Sequence, residues 1–151
     1  MKTESVRPAK FGLDTSCLVP LLAEWHTRHR QTVAAYQERL AAGQRVVIAA
    51  HALLECFAVL TRLPGPLRTT PQTALRILEL WFGKGTEICG LSPQDCWSAM
   101  GELAGSGRGG GRVYDALIAR STGRAGASVL LTWKVRDFLS VAPPGLEIRE
   151  P

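Results

Sequence analysis

Short apolar runs alternate along this chain with longer stretches in which apolar residues recur at helical spacing. The runs span residues 10 to 14, 45 to 50, 86 to 91 and 128 to 133 and read as four strands, with "EIRE" near the end as a fifth. The first run leads into a helix carrying Leu18, Leu21, Leu22 and Trp25, with Thr15 or Ser16 as its cap. Residues 26 to 43 read as an amphipathic helix closed by Gly43, with Val33, Tyr36 and Leu40 on one face. "HALLECFAVLTRL" (51 to 63) is a helix stopped by Pro64-Gly65-Pro66. The next opens with Thr70 as cap and Pro71 at its first position, and "SPQDCWSAMGELAG" repeats that opening with Ser92. After the loop "GSGRGGGR", residues 113 to 126 read as another helix. Strands alternating with helices predict an α/β fold: a central, mostly parallel sheet of four or five strands, covered by helices on both faces. Ligands bind such sheets at the carboxyl ends of the strands, near a switch in strand order.

The chain has 151 residues, and no internal repeat or shift of composition divides it. It reads as a flexible, solvated lead-in over residues 1 to 9 and one domain over 10 to 151. A 46% hydrophobic and 21% charged composition is globular rather than disordered. The net charge of +5 and pI near 9.4 suit a polyanionic partner such as RNA or DNA without requiring one. Cys17, Cys56, Cys89 and Cys96 lie in apolar stretches with no CxxC spacing, which disfavours zinc and fits reduced thiols in a cytoplasm. The first ten residues lack an apolar signal core, and no apolar run is long enough to span a membrane.

Against this background three carboxylates stand out. Asp14 closes the first strand, Glu55 lies among Leu53, Leu54, Phe57 and Val59, and Asp115 lies between Tyr114 and Ala116. Carboxylates in apolar surroundings are paired or hold a metal. Three of them from three elements can share a hard divalent cation, Mg²⁺ or Mn²⁺, which can ionise a water and neutralise charge on an in-line phosphoryl transition state. Taken singly, each has a plainer reading. Asp14 can cap a helix, Glu55 can reach solvent at a helix edge, and Asp115 can pair with Arg112 or Arg120.

The stretches "LDTSCLVPLL", "HALLECFAVLTRLPGP", "GGRVYDALIARS" and "LLTWKVRDF" together resemble the PIN-domain ribonucleases, in particular the VapC-like toxins of type II toxin–antitoxin pairs. The likeness runs from about Phe11 to Phe138. It implies an α/β/α sandwich and a Mg²⁺- or Mn²⁺-dependent endoribonuclease with Asp14, Glu55 and Asp115 as its acidic residues. It also implies an RNA substrate, a cognate antitoxin and a homodimer. One departure concerns the position two after Thr132, where many members place Asp or Asn and this chain has Lys134. An ammonium cannot ligate a cation through oxygen, so it contacts a phosphate or repels the metal. Asp137 can supply a fourth carboxylate or cap a helix. Lys134 also motivates a rival reading, a catalytically impaired module that binds RNA or a partner without cutting. A phosphatase with Asp14 as nucleophile is disfavoured because Ser16 stands where the second Asp of the haloacid-dehalogenase type is expected.

The remaining polar residues are less specific. Thr15 and Ser16 cap a helix or position a water or phosphate. His51 can share a face with Glu55 and reads as a packing residue before a catalytic one. "GSGRGGGR" is not a Walker loop; it reads as a connector from which Arg108 and Arg112 can touch RNA, with Arg112 beside the proposed site. Arg28, His29 and Arg30 form a basic cluster read as a solvated face before a phosphate contact. The four tryptophans read as core or dimer interface, and no aromatic platform for stacking bases is visible.

Overall fold

The computed structural model describes residues 7–151. In chain order the elements are β1 (Lys10–Leu13), α1 (Thr15–Leu22), α2 (His29–Ala41), β2 (Arg45–Ala49), α3 (Ala50–Arg62), α4 (Pro71–Phe82), β3 (Thr86–Cys89), α5 (Pro93–Gly105), α6 (Arg112–Arg124), β4 (Ala127–Leu131), α7 (Val135–Leu139) and β5 (Glu147–Arg149). The five strands form one sheet in the order β3-β2-β1-β4-β5. Every pairing is parallel, with Phe11 opposite Val46 on one side and Val129 on the other. The chain therefore lays β2 and β3 to one side of β1, then returns to lay β4 and β5 on the other. That reversal puts the switch point between β1 and β4, where a crevice opens at the carboxyl ends.

The central strands are apolar along their whole length because both faces are covered. Phe11, Leu13, Val47, Ile48 and Leu130 are fully buried. One helix packs more closely than a side chain on β1 would permit. A Cβ on Gly12 would lie 2.3 Å from Cγ2 of Thr122, so only glycine at this position lets α6 settle against β1. Thr122 lies seven residues beyond Asp115, two helical turns on, so the same packing carries Asp115 to the carboxyl end of the sheet.

Several boundaries differ from the sequence reading. The first strand ends at Leu13, and Asp14 takes the N-cap position of α1, so Thr15 and Ser16 lie inside the helix rather than capping it. The second helix is shorter than residues 26 to 43, and it buries Thr32 and Tyr36 while Leu40 stays exposed. The third strand stops at Cys89 and the fourth runs from Ala127 to Leu131, leaving Thr132 and Trp133 in the loop beyond it. Thr70 and Ser92 cap α4 and α5 as expected, Ser92 in a reciprocal capping box with Asp95. Trp97 is 70% exposed, and Trp25 and Trp81 also reach solvent, so neither the α5 indole nor these two belong to the core. Of the lead-in read over residues 1 to 9, residues 1 to 6 lie outside the described residues, and 7 to 9 are exposed and irregular. Among the described residues the cysteines are free thiols, and no helix is long and apolar enough to cross a membrane.

Candidate active site

The crevice at the switch point is an open cleft of about 970 Å³. Its walls bring together all four carboxylates singled out in the sequence: Asp14 after β1, Glu55 on α3, Asp115 on α6 and Asp137 on α7. Lys134, Arg112, Thr15 and Ser16 line it too.

Asp14 is almost wholly buried; it occupies the N-cap position of α1, as its plainer reading had it, but its side chain makes no capping hydrogen bond there. Its place is fixed from both neighbouring loops. The Asp14 amide donates to the Leu131 carbonyl at 3.2 Å, so the first loop is tied to the end of β4. The Ser16 hydroxyl donates to Asp14 Oδ1 at 2.8 Å and accepts from the Trp133 amide at 2.9 Å. Thr132, buried beside it, accepts from the Lys134 amide at 2.9 Å. Burial pushes the Asp14 carboxyl up to about 6, against the opposing pull of Ser16, Thr132 and the Lys134 ammonium.

Glu55 is partly exposed and held by both oxygens. Thr15 Oγ1 donates to Oε2 at 2.6 Å, and His51 Nε2 lies 3.2 Å from Oε1. His51 thus shares the Glu55 face, one turn earlier on α3. Asp115 sits in the first turn of α6, and its carboxylate forms no hydrogen bond or ion pair with another described residue. Arg112 and Arg120, its candidate partners from the sequence, pair with Asp137 at 3.2 Å and with Glu102 instead. Partial burial raises the Asp115 carboxyl; Lys134 and Arg112 oppose the rise, while Asp137 and Glu55 add to it. Asp137 lies in the first turn of α7 and not at its cap, a position held by Lys134.

Other cleft residues carried weak signals or none. Arg62 stands seven residues after Glu55, hence on the same helix face, and that spacing was available in the sequence. His26 and Trp133 enter through loops, where no periodicity marks them. The Arg28 guanidinium lies 4.1 Å from the centroid of the Trp133 ring, so this member of the basic cluster faces the cleft. His29 is spent on the Pro20 carbonyl at 2.7 Å. Arg108 is occupied by the Ser140 carbonyl and the Ser106 hydroxyl.

The donors that meet here are carboxylate and hydroxyl oxygens, which suit a hard divalent cation. As the side chains stand, no group of three His, Cys, Asp or Glu among the described residues is close enough to hold one ion. The donor set nonetheless fits such a cation in kind. Asp14 and Asp115 are carboxylates whose charge burial disfavours and which form no ion pair among the described residues, and a cation would supply what they lack.

The parallel five-stranded sheet with a carboxylate-lined, arginine-rimmed cleft at its switch point fits the PIN-like fold that the sequence resemblance implies. Comparison with known proteins narrows the class. No family model matches the chain. Ribonuclease VapC27 of Mycobacterium tuberculosis is 36% identical over 109 residues, which cover 72% of this chain and 74% of that protein. Ribonuclease VapC40 of the same organism is 35% identical over 131 residues, 85% of this chain and 87% of its own. The chain belongs to the VapC ribonuclease family. Solved structures agree on the fold. VapBC from Salmonella typhimurium, bound to DNA, superposes with a TM-score of 0.64 at 23% identity over 94% of this chain and 98% of its own. VapC20 of M. tuberculosis, a sarcin-ricin loop cleaving toxin, has a TM-score of 0.64 at 16% identity over 88% of this chain and 96% of its own.

Proposed function

We propose that this chain is an endoribonuclease, the toxin of a toxin–antitoxin pair, and that its cleft cuts RNA phosphodiester bonds with a bound Mg²⁺ or Mn²⁺. The observation that carries this reading is the gathering of Asp14, Glu55, Asp115 and Asp137 with Arg28, Arg62, Arg112 and Lys134 around one open cleft at the switch point. Acids alone would repel RNA and bases alone would bind it without cutting. Membership of the VapC family supports the same reading.

Asp14, Glu55 and Asp115 would hold the cation, with Asp137, whose Oδ1 already engages Arg112, as a fourth carboxylate at the rim. Such a cation supplies an activated water at neutral pH and charge neutralisation on the phosphoryl group. The other steps belong to the chain. Ser16 and Thr15 hold Asp14 and Glu55 in place. Arg112 and Lys134 receive the phosphate, and Arg28, braced on Trp133, and Arg62 receive its neighbours along the strand. The partners proposed for the chain are a cognate antitoxin and a second copy of itself. Exposed apolar side chains away from the cleft, among them Leu54, Leu75, Ile88, Trp97 and Met100, suit such protein partners.

The test is cleavage of a labelled total-RNA extract with and without chelator. EDTA abolishes cleavage and Mg²⁺ or Mn²⁺ restores it, Ca²⁺ less well because it favours longer bonds and more ligands. Cleavage that persists in EDTA overturns metal dependence and points to acid–base chemistry, with His51 first in line.

A second reading, binding without cleavage, is favoured by one observation: the Lys134 ammonium acts on both Asp14 and Asp115, the carboxylates a cation needs. Under that reading RNA binds equally well in EDTA and is never cut.

A further inference from the structure

We infer that His51 and Tyr114 form a stacked seat for one unpaired nucleobase of the RNA, directly beside the carboxylates. The inference rests on the ribonuclease reading and adds to it a base-binding subsite.

The two rings lie 4.8 Å apart between centroids and only 3° from parallel. One comes from α3 and the other from α6, so the stack bridges the helices that carry Glu55 and Asp115. Its position relative to the carboxylates is fixed at both ends. His51 Nε2 reaches Glu55 Oε1 at 3.2 Å, and Tyr114 precedes Asp115 in the chain. Tyr114 lines the cleft and is 51% exposed, and its hydroxyl takes no hydrogen bond from any described residue.

A tyrosine placed only for packing would hide its ring. Here one face is covered by the imidazole, while half of the residue stays in solvent on the cleft wall. A flat ring stacked on one side by His51 and half exposed on the cleft wall can offer a nucleobase a third layer in a continuing stack. His51 restricts the Tyr114 ring before binding, so less side-chain freedom is lost when a base arrives. Arg112 and Lys134 line the same cleft and are the candidates to take the flanking phosphate. The seat takes any unpaired base and rejects duplex, whose bases already stack on one another. The sequence showed no such platform because its two rings come from residues far apart in the chain.

The test uses single-stranded RNA dodecamers of mixed sequence, each with 2-aminopurine at one position, bound with metal withheld. Fluorescence of the analogue reports stacking, and a titration gives the affinity. The wild type quenches the analogue, and Tyr114→Phe does the same. Tyr114→Leu, which still covers His51 but has no ring face, loses the quench and binds roughly tenfold more weakly. Tyr114→Gln replaces it if circular dichroism shows the leucine variant unfolded. Quenching and affinity that survive loss of the ring, or wild-type binding with no quench at any position, overturn the seat alone. A wild type that neither binds nor cleaves RNA overturns the ribonuclease reading together with it.

Discussion

At its C-terminal end α6 carries Arg120 and Arg124, and each meets a carboxylate of α5: Arg120 pairs with Glu102, and Arg124 with Asp95 at 2.6 Å. At its N-terminal end the same helix carries Asp115, which forms no ion pair among the described residues and shares a cleft with Asp14 and Glu55. One helix therefore holds two kinds of acid contact. The first kind is matched charge for charge and fastens α6 to α5. In the second, carboxylates are brought together, and Asp14 and Asp115 are left without a direct ion pair among the described residues. Surface pairs of the first kind contribute little to stability, while a buried unmatched carboxylate costs a great deal. A chain keeps an arrangement of that cost where an outside charge is to be bound.

The sharpest way to break the contrast is to remove charge at the cleft. Asp14→Asn, Glu55→Gln and Asp115→Asn are each expected to lower RNA cleavage by at least about a hundredfold, since even residues that merely support metal ligands are worth up to that factor. Cleavage rates at matched RNA and Mg²⁺, with folding checked by circular dichroism, measure it. Full activity in any one variant removes that residue from the site.

Next comes the cost of the buried charge itself. Asp14 has its proton affinity raised by burial, from an ordinary 3.8 to about 6. A carboxyl with a raised folded-state pKa contributes stability below its unfolded value and loses it as pH rises through the folded one. In metal-free buffer the wild type should therefore lose roughly 2 kcal/mol between pH 4 and 7 from this group. Asp14→Asn should lack that loss and unfold at the higher temperature at pH 7. Melting curves of both proteins across this window decide it; parallel curves would mean that Asp14 is not strained by its burial.

The smallest effect belongs to the matched end. Glu102→Gln breaks a pair whose acid is exposed while Arg120 is partly buried, and it should cost about 1 kcal/mol by urea titration. Its cleavage rate should equal the wild type's. A large loss of activity there would show that the two ends of α6 are coupled and the contrast is false.

How much of this was legible beforehand differs between fold and site. Capped helices and apolar strands announced themselves, because Thr70-Pro71 and Ser92-Pro93 satisfy local rules that hold in any context. Strand order was not legible, since pairing of β1 with β4 depends on residues more than a hundred positions apart. Asp14, Glu55 and Asp115 could be named because carboxylates in apolar runs are anomalous on any fold. What each one touches could not. Arg112 and Arg120 were plausible partners for Asp115 by spacing, yet they turned to Asp137 and Glu102, a choice made by packing between helices. The helix after β1 departs from its local signals for a related reason. Thr15 and Ser16 are good caps locally, but Ser16 instead ties Asp14 to the Trp133 amide.

That tie has a consequence in time. Ser16 Oγ and the Trp133 amide stand 117 residues apart in sequence, and the Asp14 amide needs the Leu131 carbonyl. Until β4 docks, β1 has a neighbour on one side only, and the loop bearing Asp14 has nothing to hold it. Parallel pairing over such a separation forms late in folding, because the intervening loop must close first. A chain still being synthesised has therefore already made its first carboxylate, and later its second and third, without having a cleft. Assembly waits for the strand that follows α6, so a polypeptide interrupted before that point carries the acids of the site but cannot arrange them.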